Sequence, residues 1–157
     1  MKPKIYIETT VVSYVVARPG RDLIVAAHQQ ITRQWWEDRL SDFEFFVSSL
    51  VMQEAASGDP EAARLRLQKL AGMPVLLVTD EAEALAYDLS HGGPLPENAL
   101  EDALHIALAT VHGMHYLVTW NCRHIANAEL QLAVASKCLE RGYELPVICT
   151  PQELMGN

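Results

Sequence analysis

The segment "PENALEDALHIALATVHGMHYLVTWNCRHI", residues 96–125, contains the pattern from which the fold is predicted. It reads as an apolar helix from Asn98, followed by a strand over residues 116–118. Two adjacent carboxylates, Glu101 and Asp102, lie near the start of this helix. A buried carboxylate is unfavourable unless hydrogen-bond donors or a cation compensate its charge. The segment therefore predicts either a helix cap or a bound cation at these acids.

The rest of the chain alternates short apolar runs with longer helical patterns. Strands are predicted at residues 5–7, 43–47, 75–78, 116–118 and 147–149, and helices at 22–40, from about 49, 60–71, 80–89, from 98 and at 126–141. Strands that alternate with helices form a parallel sheet covered on both faces. We therefore predict an α/β fold with three α/β/α layers around a small parallel sheet of four to five strands, in a single domain spanning residues 1–157.

Composition limits the class of protein. The chain has 157 residues, of which 50% are hydrophobic, and this is enough for one compact domain with a substantial core. Its three cysteines form no C-x-x-C pair, which predicts a reducing cytoplasm and indicates no zinc site. No signal peptide or membrane span is predicted at the N-terminus. A net charge of -8 argues against a broad basic surface for polyanions, but it allows a local basic rim around an acidic centre.

The two acids of the opening segment are predicted to have different roles. Asn98 is a good N-cap, and Glu101 three positions later completes a capping-box pattern. Asp102 instead lies in line with apolar residues such as Ile106, whereas Glu101 shares its face with His105. The helix dipole contributes only about 0.3 to 1 kcal/mol, which is too little to hold a buried carboxylate alone. Asp102 is therefore predicted to pair with a buried arginine or to bind a metal.

Three other polar residues are predicted at the carboxyl edge of the sheet. Glu8 follows the first strand, Glu54 lies in the helix after the second, and Asn121 lies two residues past the fourth. Open parallel sheets form their binding sites at this edge. A single glutamate at a strand end is more often solvated than functional, so each position alone is weak evidence. The edge that they share with Asp102 is what predicts a site.

The histidines and the paired tryptophans leave alternatives open. The histidines form no H-E-x-x-H signature, and their spread favours caps, surface positions and hydrogen bonds at the core edge. His105 and His112 align with Glu101, which predicts an ion-paired face or an interface. For Trp35 and Trp36, either one packs inward and the other is exposed for a dimer or partner groove, or both are buried.

The motifs resemble those of PIN domains, most closely the VapC-type toxins of bacterial type II toxin-antitoxin pairs, through nearly the whole chain. The resemblance rests on "YIETTVVSYV" at 6–15, the helix with Glu54, "EDALHIALA" at 101–109 and "YLVTWNCRHI" at 116–125. It implies a small parallel sheet between helices and the activity of an endoribonuclease, a metal-dependent hydrolase that cleaves RNA phosphodiester bonds.

The resemblance also implies a set of site residues. Glu8, Glu54, Asp102 and Asn121 take the four catalytic positions. The family usually has Asp at the first and fourth positions, whereas Glu8 is one methylene longer and Asn121 adds no charge. With Glu8, Glu54 and Asp102 as metal ligands, one Mg²⁺ or Mn²⁺ is predicted rather than two. Such a cation suits oxygen ligands, lowers the pKa of a bound water and stabilises charge on the phosphate.

Supporting residues are predicted around these acids. Thr119 and Thr9 are predicted to orient a ligand or a water, unless they only cap the turns after the strands. Arg18, Arg21 and Arg123 are predicted to contact RNA phosphates, and the alternative for each is ordinary surface charge.

The partners implied by the resemblance are an RNA substrate, a cognate antitoxin protein and a second copy of the chain in a homodimer. No association with a membrane is expected. With few basic residues, the chain is predicted to recognise a particular RNA shape or a single-stranded loop. The alternative function is a catalytically weak PIN-like module that binds RNA or a protein without cutting. Glu8 and Asn121, which depart from the family pattern, keep this alternative open.

Overall fold

The computed structural model describes residues 1–156 and contains one parallel sheet. Its strands are β1 Lys4–Ile7, β2 Glu44–Ser48, β3 Val75–Leu76, β4 Tyr116–Val118 and β5 Val147–Cys149, in the order β3-β2-β1-β4-β5. The helices are α1 Thr9–Val16, α2 Leu23–Arg39, α3 Ser49–Ala55, α4 Pro60–Leu70, α5 Asp80–Ser90, α6 Leu100–Val111 and α7 Ala128–Glu140. The predicted three-layer α/β/α fold with four to five parallel strands is therefore confirmed.

The strand order places a switch point between β1 and β4. From β1 the chain winds through β2 to β3, and it then returns to the other side of β1 to add β4 and β5. Because crossovers between parallel strands are right-handed, this reversal puts the two sets of helices on opposite faces. Accordingly, α1 packs with α2, α3 and α4, whereas α5 packs with α6 and α7. Ligands of such sheets bind at the carboxyl ends of the strands beside the switch point.

The central strand β1 is buried on both of its faces. Ile5, Tyr6 and Ile7 are all inaccessible to solvent, as expected for an inner strand of a parallel sheet. The register pairs Tyr6 with Phe46 of β2 and with Leu117 of β4. The phenol hydroxyl of Tyr6 is therefore carried into the interior, where it needs hydrogen-bond partners.

Helix α1 is not predicted by the sequence pattern, because its threonines and valines favour strands. The Glu8 side chain caps this helix by accepting a hydrogen bond from Thr10 N. Val11 and Val12 are fully buried where α1 packs on its neighbours, and this packing outweighs the low helix propensity. The chain thus turns into a helix directly after Glu8, which holds that carboxylate at the end of β1.

Helix α6 begins two residues later than predicted. A 3-10 turn, Glu97–Ala99, precedes it, and no side chain caps its first turn. The predicted capping box between Asn98 and Glu101 is therefore wrong. Asn98 lies inside the 3-10 turn and does not hold the extended conformation that an N-cap residue adopts.

The tryptophans of α2 match neither of the predicted arrangements. Trp35 is fully buried, whereas Trp36 is half-buried and packs against the core. Neither ring is therefore free on the surface of the chain, and the pair gives no direct support for a partner groove. In the described part of the chain, no helix combines the length and the apolar character needed to cross a bilayer.

Candidate functional site

Glu8 is a buried carboxylate that lies directly after β1 and is only 4% exposed. Its Oε1 accepts hydrogen bonds from Thr10 N at 3.2 Å, Thr10 Oγ1 at 2.5 Å and Thr119 Oγ1 at 2.6 Å. Within residues 1–156, Glu8 Oε2 accepts no hydrogen bond. Trp35 Nε1 is the one fully buried side-chain nitrogen or oxygen atom there that lacks a hydrogen-bond partner, so Oε2 is in contact with solvent. No lysine or arginine of the described chain pairs with Glu8. This carboxylate is therefore suited to bind a cation.

Helices α3 and α6 bring Glu54 against His105. Glu54 Oε1 lies 2.7 Å from His105 Nε2 and accepts a hydrogen bond from Thr9 Oγ1 at 2.5 Å. The His105 side chain is 1% exposed and that of Glu54 is 27% exposed. Burial raises the pKa of Glu54, but the hydrogen bond and the charge of His105 outweigh it and lower that pKa below its ordinary value. The contact therefore favours the ionised form of Glu54.

The burial of His105 decides among the alternatives that the sequence left open, because this side chain is buried and forms hydrogen bonds within the core. Helix α6 is buried around most of its circumference, so its inward face is wider than the line of Asp102 and Ile106 indicates. The signal that could have identified His105 is the absence of charged residues in α6 after Asp102. Such a pattern is typical of a helix that is buried on all sides.

A buried chain of hydrogen bonds fixes the His105 ring. Its Nδ1 lies 2.7 Å from Tyr6 Oη, which lies 2.8 Å from Ser48 Oγ. Ser48 Oγ also accepts a hydrogen bond from Val51 N and so caps α3, the helix that carries Glu54. The chain ties β1, α3 and α6 together behind the acids. Sequence reasoning missed Tyr6 and Ser48. The hydrogen-bond partner of a polar atom in an apolar strand can be identified only when the relative positions of the strands are known.

Asp102 lies beside this cluster and has a partner of its own. Its Oδ2 is 2.8 Å from His124 Nδ1, with the two side chains 27% and 19% exposed. In the described chain the partner of Asp102 is thus a histidine and not the buried arginine that the sequence left open. Burial lowers the pKa of His105, but its hydrogen bond to Glu54 and nearby charges, Asp102 among them, raise that pKa above its ordinary value. Asp102 is therefore close enough to act on the cluster electrostatically.

Asn121 uses its amide oxygen in the turn that follows β4. Asn121 Oδ1 accepts a hydrogen bond from His124 N at 3.1 Å, and Asn121 N donates to Thr119 Oγ1 at 2.9 Å. Thr119 Oγ1 in turn donates to Glu8. Asn121 therefore holds the turn that carries His124, and Thr119 links this turn to the buried carboxylate.

The three predicted RNA contacts, Arg18, Arg21 and Arg123, are exposed. Arg18 and Arg21 lie between α1 and α2, and Arg123 lies in the turn after β4. Within residues 1–156 none of their side chains pairs with a carboxylate. Arg123 follows β4 closely and so lies on the carboxyl side of the sheet, as Glu8 does, whereas α1 separates Arg18 and Arg21 from β1. Their contact with RNA stays a prediction.

The comparison with protein families agrees with this topology. The sequence model described as PIN domain matches residues 5–129, which is most of the chain. The chain belongs to the PIN domain family. A comparison of the sequence with curated proteins finds no significant match to this PIN domain.

Two solved structures resemble this PIN domain. Mycobacterium tuberculosis VapC20, described as a toxin that cleaves the sarcin-ricin loop, superposes with a TM-score of 0.58 at 17% identity, over 79% of this chain and 95% of that chain. VapBC2 from Rickettsia felis, bound to a DNA fragment from its promoter, gives a TM-score of 0.58 at 15% identity, over 94% of this chain and 98% of that chain. At these identities the likeness shows the fold alone.

The donor atoms of this PIN domain fit one divalent cation. Ligand atoms of Glu8, Glu54 and His105 all lie within 4.8 Å of one another. An octahedral cation about 2.1 Å from its ligands places adjacent ligand atoms about 3 Å apart and opposite ones about 4 Å apart. The cluster therefore has nearly the span of one coordination sphere. Its two carboxylates and one imidazole are all chemically competent metal ligands.

Proposed function

We propose that this PIN domain is a metal-dependent endoribonuclease that hydrolyses RNA phosphodiester bonds and acts as a VapC-like toxin. The observation that carries the proposal is the convergence of Glu8 and Glu54 at the carboxyl edge of the sheet, with Glu8 Oε2 free. No lysine or arginine of the described chain neutralises Glu8. Three hydrogen bonds stabilise Glu8 Oε1, but no arginine or lysine within residues 1–156 balances the charge of this carboxylate, and a bound cation would do so.

Glu8, Glu54 and Asp102 are proposed to hold one Mg²⁺ or Mn²⁺. When bound, such a cation lowers the pKa of a water and neutralises charge that develops on the phosphate. Thr119 and Thr9 keep Glu8 and Glu54 in place by donating hydrogen bonds to them. No nucleophilic side chain is required, because water is the attacking group in this chemistry.

In this proposal the residue at the fourth catalytic position has a positioning role, and three exposed arginines bind RNA. Asn121 holds the turn that sets His124 against Asp102. The exposed Arg18, Arg21 and Arg123 contact RNA phosphates, which align the strand but do not select its sequence. At a net charge of -8 the attraction has to come from these local cations, so a particular RNA loop is a better substrate than any polyanion.

The same proposal includes partners and a compartment. A toxin of this kind is kept inactive by a cognate antitoxin protein, and it forms a homodimer. The three cysteines are unpaired, which fits a reducing cytoplasm.

A cleavage assay tests the nuclease directly. The purified protein is incubated with RNA in Mg²⁺ or Mn²⁺ and with EDTA, and compared with Glu8→Gln. The control is Glu44→Gln, the same change in an exposed residue at the opposite end of the strands. We expect cleavage by the wild type and by Glu44→Gln, none in EDTA, and none by a folded Glu8→Gln. Expression in cells is expected to arrest growth with the wild type but not with Glu8→Gln.

Binding of RNA without cleavage in both metals would contradict the nuclease. It would favour the second candidate, a catalytically weak PIN-like module that binds RNA or a protein. Two observations favour that candidate: Glu54 already has a counter-ion in His105, and Asn121 adds no charge and uses its amide oxygen in a turn.

A further inference from the structure

We propose that His105 is a nitrogen ligand of the divalent cation and that it makes the site select Mn²⁺ over Mg²⁺. The inference rests on the proposed function only in taking a cation to bind at Glu8 and Glu54. His105 Nε2 shares a 4.8 Å cluster with oxygens of both glutamates. Asp102, the third proposed ligand, lies beside this cluster and contacts His124.

The position of His105 Nε2 is that of a ligand atom. It lies 2.7 Å from Glu54 Oε1, close to the separation of about 3 Å between adjacent ligands of an octahedral cation. The ring is 1% exposed and is held within α6, so it has no route to solvent. A cation that binds between Glu8 and Glu54 therefore reaches this nitrogen by replacing its hydrogen bond to Glu54.

The hydrogen bonds behind the ring support ligation. Tyr6 Oη lies 2.7 Å from His105 Nδ1 and 2.8 Å from Ser48 Oγ, so it is placed to accept a hydrogen bond from Nδ1 while it donates its own hydrogen to Ser48. When a cation replaces the hydrogen bond between Nε2 and Glu54, the ring proton resides on Nδ1 and the Nε2 lone pair is directed at the cation. Metal-binding histidines characteristically donate their other ring N–H to such a partner, which fixes both tautomer and orientation. Tyr6 and Ser48 are fully buried, so the arrangement is rigid.

A nitrogen ligand changes which cation the site prefers. Mg²⁺ favours oxygen ligands and retains its waters, whereas imidazole suits transition metals, whose affinity rises from Mn²⁺ onward along the first row. With His105 added to the oxygen ligands, the site therefore binds Mn²⁺ more tightly than Mg²⁺. Tyr6 acts as a positioning residue, and Tyr6→Phe is expected to weaken Mn²⁺ binding by about 10-fold, with less effect on Mg²⁺.

Pulsed electron paramagnetic resonance of the Mn²⁺-loaded full chain, without RNA, tests the ligand. In the wild type we expect a ¹⁴N modulation that disappears when histidine is labelled with ¹⁵N. The signal should be lost in His105→Asn and kept in His124→Asn, the matched control, since His124 is the other described histidine in contact with a candidate metal ligand. Calorimetric titration should show tighter Mn²⁺ than Mg²⁺ binding in the wild type and a smaller preference in His105→Asn.

Several outcomes would overturn the inference. They are a wild type that binds no Mn²⁺, a bound Mn²⁺ without histidine modulation, and a signal that persists in a folded His105→Asn. If His105→Asn does not fold, His124→Asn decides: a retained signal supports His105, and a lost one refutes it. The resonance experiment contains no RNA, so it is independent of cleavage. Nitrogen coupling in a protein that never cuts RNA would support the histidine ligand and refute the nuclease. Cleavage of RNA without nitrogen coupling would support the nuclease and refute the histidine ligand.

Discussion

His105 Nε2 lies 2.7 Å from Glu54 Oε1, so an imidazole occupies the centre of a site for which the sequence predicts oxygen ligands alone. Each group also has a further hydrogen-bond partner. Glu54 is fixed from one side by Thr9, and His105 is fixed from behind by Tyr6. Because Tyr6 is also joined through Ser48 to the cap of α3, which carries Glu54, a substitution of Tyr6 acts on both groups.

Asp102→Asn is expected to abolish metal-dependent RNA cleavage while leaving the fold intact. Asparagine has the same size and keeps an oxygen that accepts a hydrogen bond from His124, but it lacks the negative charge that a cation requires. The measurements are cleavage time courses in Mg²⁺ and Mn²⁺ and the thermal unfolding midpoint. Asp38→Asn, on the exposed side of α2, is the control and should cleave normally. Unchanged cleavage by Asp102→Asn would remove this residue from the mechanism.

The double variant Arg18→Ala with Arg21→Ala, and separately Arg123→Ala, are expected to weaken RNA binding without changing the fold. Each lost phosphate contact should reduce the slope of log affinity against log salt by about 0.7 for single-stranded RNA. Fluorescence anisotropy over a salt series, with EDTA to prevent cleavage, measures this slope. Arg141→Ala removes a cation that is paired with Asp88 at the end of α7 and should leave the slope unchanged. Equal slopes in all variants would refute the phosphate contacts.

Tyr6→Phe is expected to lower the free energy of unfolding by about 1 to 3 kcal/mol, because the buried His105 and Ser48 lose a hydrogen-bond partner. Urea denaturation of the metal-free protein measures the change. Tyr14→Phe is the matched control: its ring stacks on Trp120, but its hydroxyl makes no hydrogen bond within residues 1–156. That variant should stay within about 0.5 kcal/mol of the wild type. A negligible effect of Tyr6→Phe would contradict a structural role for the buried chain.

One cysteine is expected to react with a thiol reagent in the folded protein, and two are expected to resist. Cys122 is exposed, whereas Cys138 and Cys149 are buried. Burial raises the pKa of the Cys149 thiol to about 12, so at neutral pH it has almost no reactive thiolate. Reaction with a disulfide reagent at pH 8, before and after denaturation, should give one and then three equivalents. Cys122→Ser should remove the fast phase, and fast reaction of this variant would show that a buried thiol is accessible.

The sequence by itself determined the alternation of helices and strands and hence the layered parallel sheet, because both follow from local periodicity and from the handedness of crossovers. It also determined that Glu8 and Glu54 lie at one edge, since each closely follows a strand of a parallel sheet. Helix α1 is the exception. Its β-branched residues favour a strand locally, and only packing on the neighbouring helices makes them helical.

The tertiary structure alone decided what surrounds the acids. Tyr6 joins residues 42 and 99 positions away, and His105 reaches a glutamate 51 positions away. No local pattern encodes such contacts, because a side chain on a buried strand or helix selects its polar partner from whatever the fold places beside it. The same reason explains why Asp102 is paired with His124 and why Asn121 serves a turn.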